Sequence, residues 1–347
     1  MTIGKLKGNT ACPDRLPPRS RRLLYGAAAS LIAVVLAGGA WFLFSRGQAA
    51  VGCEGLGQDR RVKSALGSHY SSEMSCSELG AAVRTSTTGG GAGPRTKAQA
   101  DSMKQVLLAV NDSVDGDGRA VAADLRKPLA ESLAGYANDV QEILDGVSSE
   151  YFDADGQDDP AWQDKDEAGY HFSVYYGDLV NVLLAVAEDP AAYAVLRNAQ
   201  TEWGAAQLAS LSSATMGKNL VAAPTPNASA LGAYDAIAAD VVRRKGASSG
   251  AQWTGTVFKA LHRPATIAPA PPPSALSDRI TKSWRASLVS VPAGQRTDRL
   301  GRQGLFMFTT WAEAVGMSRE RAEVVGELYR LSSESGYGRL MSRLKMS

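Results

Sequence analysis

Strand-like alternation of apolar and polar residues is scarce along these 347 residues, and histidine and cysteine occur only 3 times each. The first shortage argues against a sheet-based fold, because half-buried strands repeat with a period of two. The histidines, His69, His171 and His262, are scattered and have no zinc-ligand spacing. No fixed-period repeat is present, which removes solenoids and propellers. A basic excess is missing as well. The chain holds 37 Lys and Arg against 35 Asp and Glu, and setting aside six bases and one acid in the first 22 residues leaves 31 against 34. Nucleic-acid-binding domains carry a strong positive excess, so nucleic acid is not an expected partner.

What the chain does have is one uncharged apolar run, Leu23 to Phe44, reading LLYGAAASLIAVVLAGGAWFLF. At the helical rise it spans roughly 33 Å, enough for a hydrocarbon core of about 30 Å. The leader over 1–22 carries Lys5, Lys7, Arg15, Arg19, Arg21 and Arg22 against Asp14. Basic flanks stay cytoplasmic, so the expected topology is a single transmembrane helix over 23–45 with the N-terminus inside and the C-terminal part outside. Two rival readings use the same run. One is a signal peptide cleaved near Ala49 and Ala50, although its apolar region is longer than such peptides need. The other is lipid modification of Cys53, which the polar stretch Ser45-Arg46-Gly47-Gln48 separates from the run.

Cys53 and Cys76 are the only cysteines after the run, and an oxidising exterior favours their pairing as a disulfide. Two free thiols are the alternative. Composition then divides the outer part. A juxtamembrane segment over 46–95 ends in the flexible connector Thr85 to Pro94, TSTTGGGAGP. A helical domain over 96–267 follows, then a proline-rich linker over 268–274 and a C-terminal helical segment over 275–347. Within these, apolar residues recur at spacings of three and four. Met103, Val106, Leu107, Val110 and Val114 make one stripe. Leu129, Leu133, Tyr136, Val140, Ile143 and Leu144 make another, with Pro128 near its start. Ser173 is placed to cap a helix through Ala187. Asp189-Pro190 is a sharp start signal, an N-cap acid before a first-turn proline, for a helix toward Leu211 with Tyr193, Leu196, Trp203 and Leu208 inward. Helices are also expected around Leu231 to Val242 and Ile280 to Leu288, with two short ones over Phe306 to Val315 and Ala322 to Leu331. Ala222 to Pro226 and Gly246 to Gly250 read as loops. The predicted fold is all-α, a transmembrane helix followed by an extracytoplasmic multi-helix domain.

Charge is unevenly spread. Asp139 to Glu167 holds eleven acids against Lys165, and Ser277 to Ser347 holds twelve bases against seven acids. The two stretches either face each other or form solvated faces of separate helices. Asp153, Asp155 and Asp158 crowd one loop with Asp159 and Asp164, the best candidate for a calcium site. The EF-hand pattern fails there, because Asp158 stands at the turn-glycine position. Asp115-Gly116-Asp117-Gly118 is a smaller version of the same idea. Gly246-Ala247-Ser248-Ser249-Gly250 matches the GxSxG nucleophile elbow in letters only, since a helical segment precedes it and His262 is the only later histidine. Tyr170, His171, Phe172, Tyr175 and Tyr176 form a dense aromatic patch that is either core packing at a helix start or a recognition surface, with Tyr170, Tyr175 and Tyr176 as its candidate contacts. His171 beside Asp166 or Asp178 has the makings of an acid–base pair, but no nucleophile is identifiable nearby. No catalytic residue and no cofactor is expected.

The pieces RKPLAESLAGYANDVQEIL and VLLAVAEDPAAYAVLRNAQTEWGAAQL, between Leu125 and Leu211, resemble a helical region of actinobacterial proteins associated with type VII secretion and polymorphic toxins. Trp203-Gly204 is not the WxG turn of the small secreted partners, because it falls inside a predicted helix. The resemblance implies a helical region with no catalytic residues to carry over, and the chain departs from those proteins in its N-terminal anchor and in showing no toxin module at its end. Together with the apolar run and its basic leader, it gives the expected role of a membrane-anchored protein acting in protein–protein interaction or envelope assembly, secretion-associated on the resemblance, with a protein partner outside the membrane. The alternative is an envelope hydrolase or metal-dependent enzyme drawing its acids from the loop over 153–166.

Overall fold

The computed structural model describes residues 53–89, 93–115, 121–164, 169–211, 225–264 and 273–346. The leader over 1–22, the apolar run over 23–45 and most of the proline-rich linker lie outside the described residues. Among the described residues no helix is long and apolar enough to cross a membrane. Their backbone is helical almost throughout and contains no strand, only an isolated bridge between Trp162 and His171. The all-α expectation holds for this part.

Local capping chemistry sets the first helices. Residues 53–58 are helical, followed by α1 (Arg60–Leu66), whose N-cap Asp59 accepts the Arg61 N–H at 2.7 Å. Helix α2 (Cys76–Thr88) opens on a capping box: the Ser75 hydroxyl takes the Glu78 N–H and the Glu78 carboxylate takes the Ser75 N–H at 2.8 Å. Thr96 and Gln99 make the same reciprocal pair before α3 (Lys97–Asp115). Cys53 and Cys76 are joined, with Cα atoms 5.5 Å apart, so the disulfide ties the first helical turn to the start of α2. It closes a loop with a sequence separation of 23. The chain-entropy model assigns such a loop about 3 kcal/mol. Cys76→Ser is therefore expected to lower the melting temperature by several degrees while leaving the helical circular dichroism signal in place.

The stripe over Leu129 to Leu144 is not one helix. It divides into α4 (Ala123–Ala134) and α5 (Ala137–Asp145) at Gly135-Tyr136, where Tyr136 has φ −124° and ψ 36°. The Tyr136 hydroxyl donates to the Thr87 carbonyl at 2.7 Å, satisfying an acceptor at the end of α2. Pro128 lies inside α4 rather than in its first turn, and its ring packs on Gly80 of α2. After the one-turn helix α6 (Ser149–Asp153), the chain runs extended through 169–175. Helix α7 (Tyr176–Ala187) begins after Tyr175, two residues later than a Ser173 cap would set it. Helix α8 (Pro190–Ser210) starts where Asp189-Pro190 predicts, with the Asp189 carboxylate accepting the Ala191 N–H at 2.8 Å. Tyr193, Leu196 and Leu208 point inward as expected, but Trp203 is only partly buried.

Two features of the second half depart from the sequence reading. The segment Gly246 to Gly250 is not a loop. Helix α9 (Thr225–Leu261) passes through it with one kink at Gly246, whose φ of 75° and ψ of 175° suit glycine alone. Ser248 is exposed on the resumed helix, which removes the strand-to-helix elbow a nucleophile needs. The kink is braced from α7: Glu188 takes the Lys245 ammonium at 2.6 Å and the Arg244 guanidinium, which also reaches Asp240. Burial pushes the Glu188 carboxyl up, yet Lys245 and Arg244 outweigh it and hold the group below the usual glutamate range. Its contribution is therefore present above the unfolded pKa and lost as pH falls through the lower, folded one. Glu188→Gln is expected to cost about 1 kcal/mol at pH 7. The difference should fade below about pH 4 in urea titrations.

The second departure is length. After α10 (Ala275–Leu288), α11 (Arg296–Gly301) and α12 (Gln303–Ala314), the chain ends in one long helix, α13 (Arg319–Met346), instead of a short one. It lies along α9 in the most extensive helix pairing among the described residues. Near its end, Arg339 donates to the carbonyls of Leu144 and Asp145 at the C-terminus of α5. The basic and acidic stretches thus meet, but through backbone oxygens. The described residues form one compact unit, in which the segments before residue 96 and after residue 275 share the packing of the middle.

Candidate functional site

Three sets of sequence-predicted residues converge around α5 and α6. The first is built on His171. Its Nδ1 lies 2.6 Å from Asp139 Oδ1, and the Tyr151 hydroxyl donates to the same oxygen at 2.5 Å. Asp139 comes from α5 and Tyr151 from α6, while His171 is held by reciprocal backbone bonds with Trp162. Asp139 is thus a partner of His171 that sequence reading did not name. Asp178 takes the Asn111 amide at 3.2 Å, and Asp166 lies outside the described residues. Burial pushes the Asp139 carboxyl up, and the His171 and Tyr151 bonds pull it back. All three side chains are buried, with the Tyr151 ring edge-on to Trp162. The cluster fastens α5, α6 and the extended segment together. The signal for Asp139 was present in the sequence: an acid three residues after Tyr136 and four before Ile143 sits on an apolar face and needs a buried partner.

The acidic loop is the second set. Lys104 of α3, 2 % exposed, reaches under it and donates to the carbonyls of Ala154 at 3.1 Å and Asp159 at 2.9 Å. Burial lowers the Lys104 pKa, against the pull of Asp159, Asp155, Asp101 and Asp158. Two more carboxylates brace the loop backbone, Asp159 on the Gly156 N–H at 2.9 Å and Asp101 on the Ala161 N–H at 2.7 Å. The ammonium stands where a bound cation would draw in the carbonyls. Asp153 and Asp158 remain exposed to solvent. Among the described residues no three His, Cys, Asp or Glu side chains are grouped to hold a metal, so Asp153, Asp155 and Asp158 are not brought together.

The aromatic patch, the third set, divides. Phe172 is fully buried against Tyr136. Tyr170 is partly buried and bound through its N–H to the Arg95 carbonyl at 2.9 Å. Tyr176 packs on the core with its hydroxyl buried and without a hydrogen-bond partner. Tyr175 alone is exposed, at 56 %, and it shares a cavity with Phe152, exposed at 75 %, while Val147, exposed at 76 %, stands between the lining residues Gly146 and Ser148; sequence reasoning missed both. Phe152 follows Tyr151 on a single helical turn, where neighbours cannot both face the core. Phe152, Tyr175 and Tyr176 line a small apolar cavity of about 80 Å³. It shares Glu142, Ser148 and Tyr151 with a larger, polar groove of about 430 Å³ lined by Glu142, Glu150, Asp164, Trp203 and Gln207. A separate groove of about 560 Å³ lies between α12 and α13, with Leu305, Ala312, Met317 and Ala322 on its floor.

Compared with known proteins, the chain matches no family model, no curated protein and no solved structure.

Proposed function

We propose that this is a membrane-tethered protein of the cell envelope whose helical unit docks another protein and performs no chemistry of its own. The observation that carries the reading is the exposed trio Val147, Phe152 and Tyr175 beside the two joined cavities. Large apolar side chains grouped at the surface mark interaction sites, and aromatic anchors in pockets supply most of an interface's energy. The envelope placement is supported by the apolar run behind a basic leader and by the Cys53–Cys76 disulfide, which suits an oxidising compartment. Docking is favoured over hydrolysis because the loop carbonyls face Lys104 and Asp159 braces the loop's own backbone.

A photo-crosslinking residue at position 147 of the full chain, in membranes, tests this. A discrete adduct is expected, and Phe152→Ser with Tyr175→Ser should abolish it while leaving helicity and melting temperature nearly unchanged. Both side chains are exposed, so the fold should lose little. An adduct that persists in the double variant, or none at all in the parent, overturns the reading.

A further inference from the structure

We infer that the docking surface takes an extended polypeptide segment in which a Lys or Arg stands next to an aliphatic side chain. This rests on the docking reading above and assigns the partner's chemistry. The apolar slot between Phe152 and Tyr175 holds about 80 Å³. A water occupies roughly 30 Å³ in the liquid, so the slot has room for one aliphatic side chain and little more. The adjoining groove presents the carboxylates of Glu150 and Asp164, beside a Glu142 that already takes the Gln141 amide, and no cation is among its described lining residues. Its wall also carries two buried polar atoms without hydrogen-bond partners, Trp203 Nε1, a donor, and Gln207 Oε1, an acceptor. Such atoms are costly unless a ligand satisfies them. The two residues stand one helical turn apart on α8, and a donor and an acceptor at that spacing suit the C=O and N–H of an extended backbone. The Trp203 face offers a cation a further favourable neighbour.

Charge around the slot is unevenly placed: Glu142 and Asp155 are among its lining residues, Glu142 on the side of the polar groove. Arg339 and Arg343 act on Tyr176 at the slot's other edge. Arg339 is engaged by the carbonyls of Leu144 and Asp145. A cationic side chain is therefore repelled from that edge and drawn toward Glu150 and Asp164. The same acidity disfavours an anionic lipid surface, which polybasic patches attract.

The experiment uses the full chain in detergent micelles and a positional-scanning hexapeptide library. The expected selection is Lys or Arg at one position and Leu, Ile, Val or Met at a neighbouring one. Binding of a selected peptide should fall on the order of tenfold in Glu150→Gln with Asp164→Asn, and similarly in Phe152→Ser. It should also weaken with added salt. Retained circular dichroism in each variant separates lost binding from lost fold. If apolar selection survives and vanishes only with Phe152→Ser, the cation assignment is overturned and docking stands. No selected peptide, with the position-147 adduct still formed, overturns the short-segment assignment alone. Absence of both peptide and adduct overturns both.

Discussion

Gly336→Ala is expected to destabilise the unit by about 3 kcal/mol or more. Gly338→Ala, two residues along the same helix, should stabilise it by about 0.5–1 kcal/mol. The contrast follows from what a Cβ atom would meet. At Gly336 it would overlap the backbone carbonyl of Ser229, and at Gly232 that of Ser333. Helices α9 and α13 cross there through small residues only, with backbone against backbone. A flexible side chain yields to an added methyl, but a helical carbonyl moves only if the whole helix moves. Gly338 is exposed with nothing within 4 Å of the added atom, so its alanine collects the ordinary gain in helix propensity. Urea unfolding of the two variants decides the matter. Equal and small effects would mean that α13 does not lie on α9.

The same glycines explain where sequence reasoning stopped. Ser332 to Gly338 is rich in residues that weaken an isolated helix, so the expected helix ends near Leu331, whereas tertiary packing carries α13 to Met346. Gly246 misleads in the same way, because a single left-handed residue kinks a helix as readily as it ends one. Signals that act within a few residues were legible. Asp189-Pro190 and the apolar stripe of α3 each led to the observed element. The disulfide was legible from cysteine counting. The candidate site was legible only in part. Tyr175 could be named, but Phe152 and Trp203 join it through pairings distant in the chain. Lys104, which turns the acidic loop from a candidate cation site into a braced one, acts on residues 50 and 55 positions away.

Arg197 shows how far such a long-range pairing governs stability. It lies fully buried on α8, on the inward face one turn after Tyr193. Its guanidinium donates to Asp235 at 2.6 Å, to the Tyr193 hydroxyl at 2.8 Å, to Gln303 at 2.9 Å and to the Leu300 carbonyl at 2.9 Å. One side chain therefore connects α8 with α9, α11 and α12. Arg197→Met removes the cation and leaves Asp235 enclosed without it, which should cost about 3–5 kcal/mol at pH 7. Burial raises the Asp235 carboxyl and Arg197 pulls it down, so in the variant the raising influence stands alone. A carboxyl raised in the fold binds more protons folded than unfolded, and stability then falls as pH rises between the unfolded and folded pKa. The destabilisation of Arg197→Met should accordingly shrink as pH is lowered from 7 toward 4, beginning at higher pH than the fading of the Glu188→Gln difference, because Asp235 is raised where Glu188 is lowered. Adding Asp235→Leu should recover most of the loss at neutral pH, since an apolar pair of similar volume costs far less than half an ion pair. A loss that is independent of pH and untouched by the second substitution would show that Arg197 acts through packing of its stem and not through its charge.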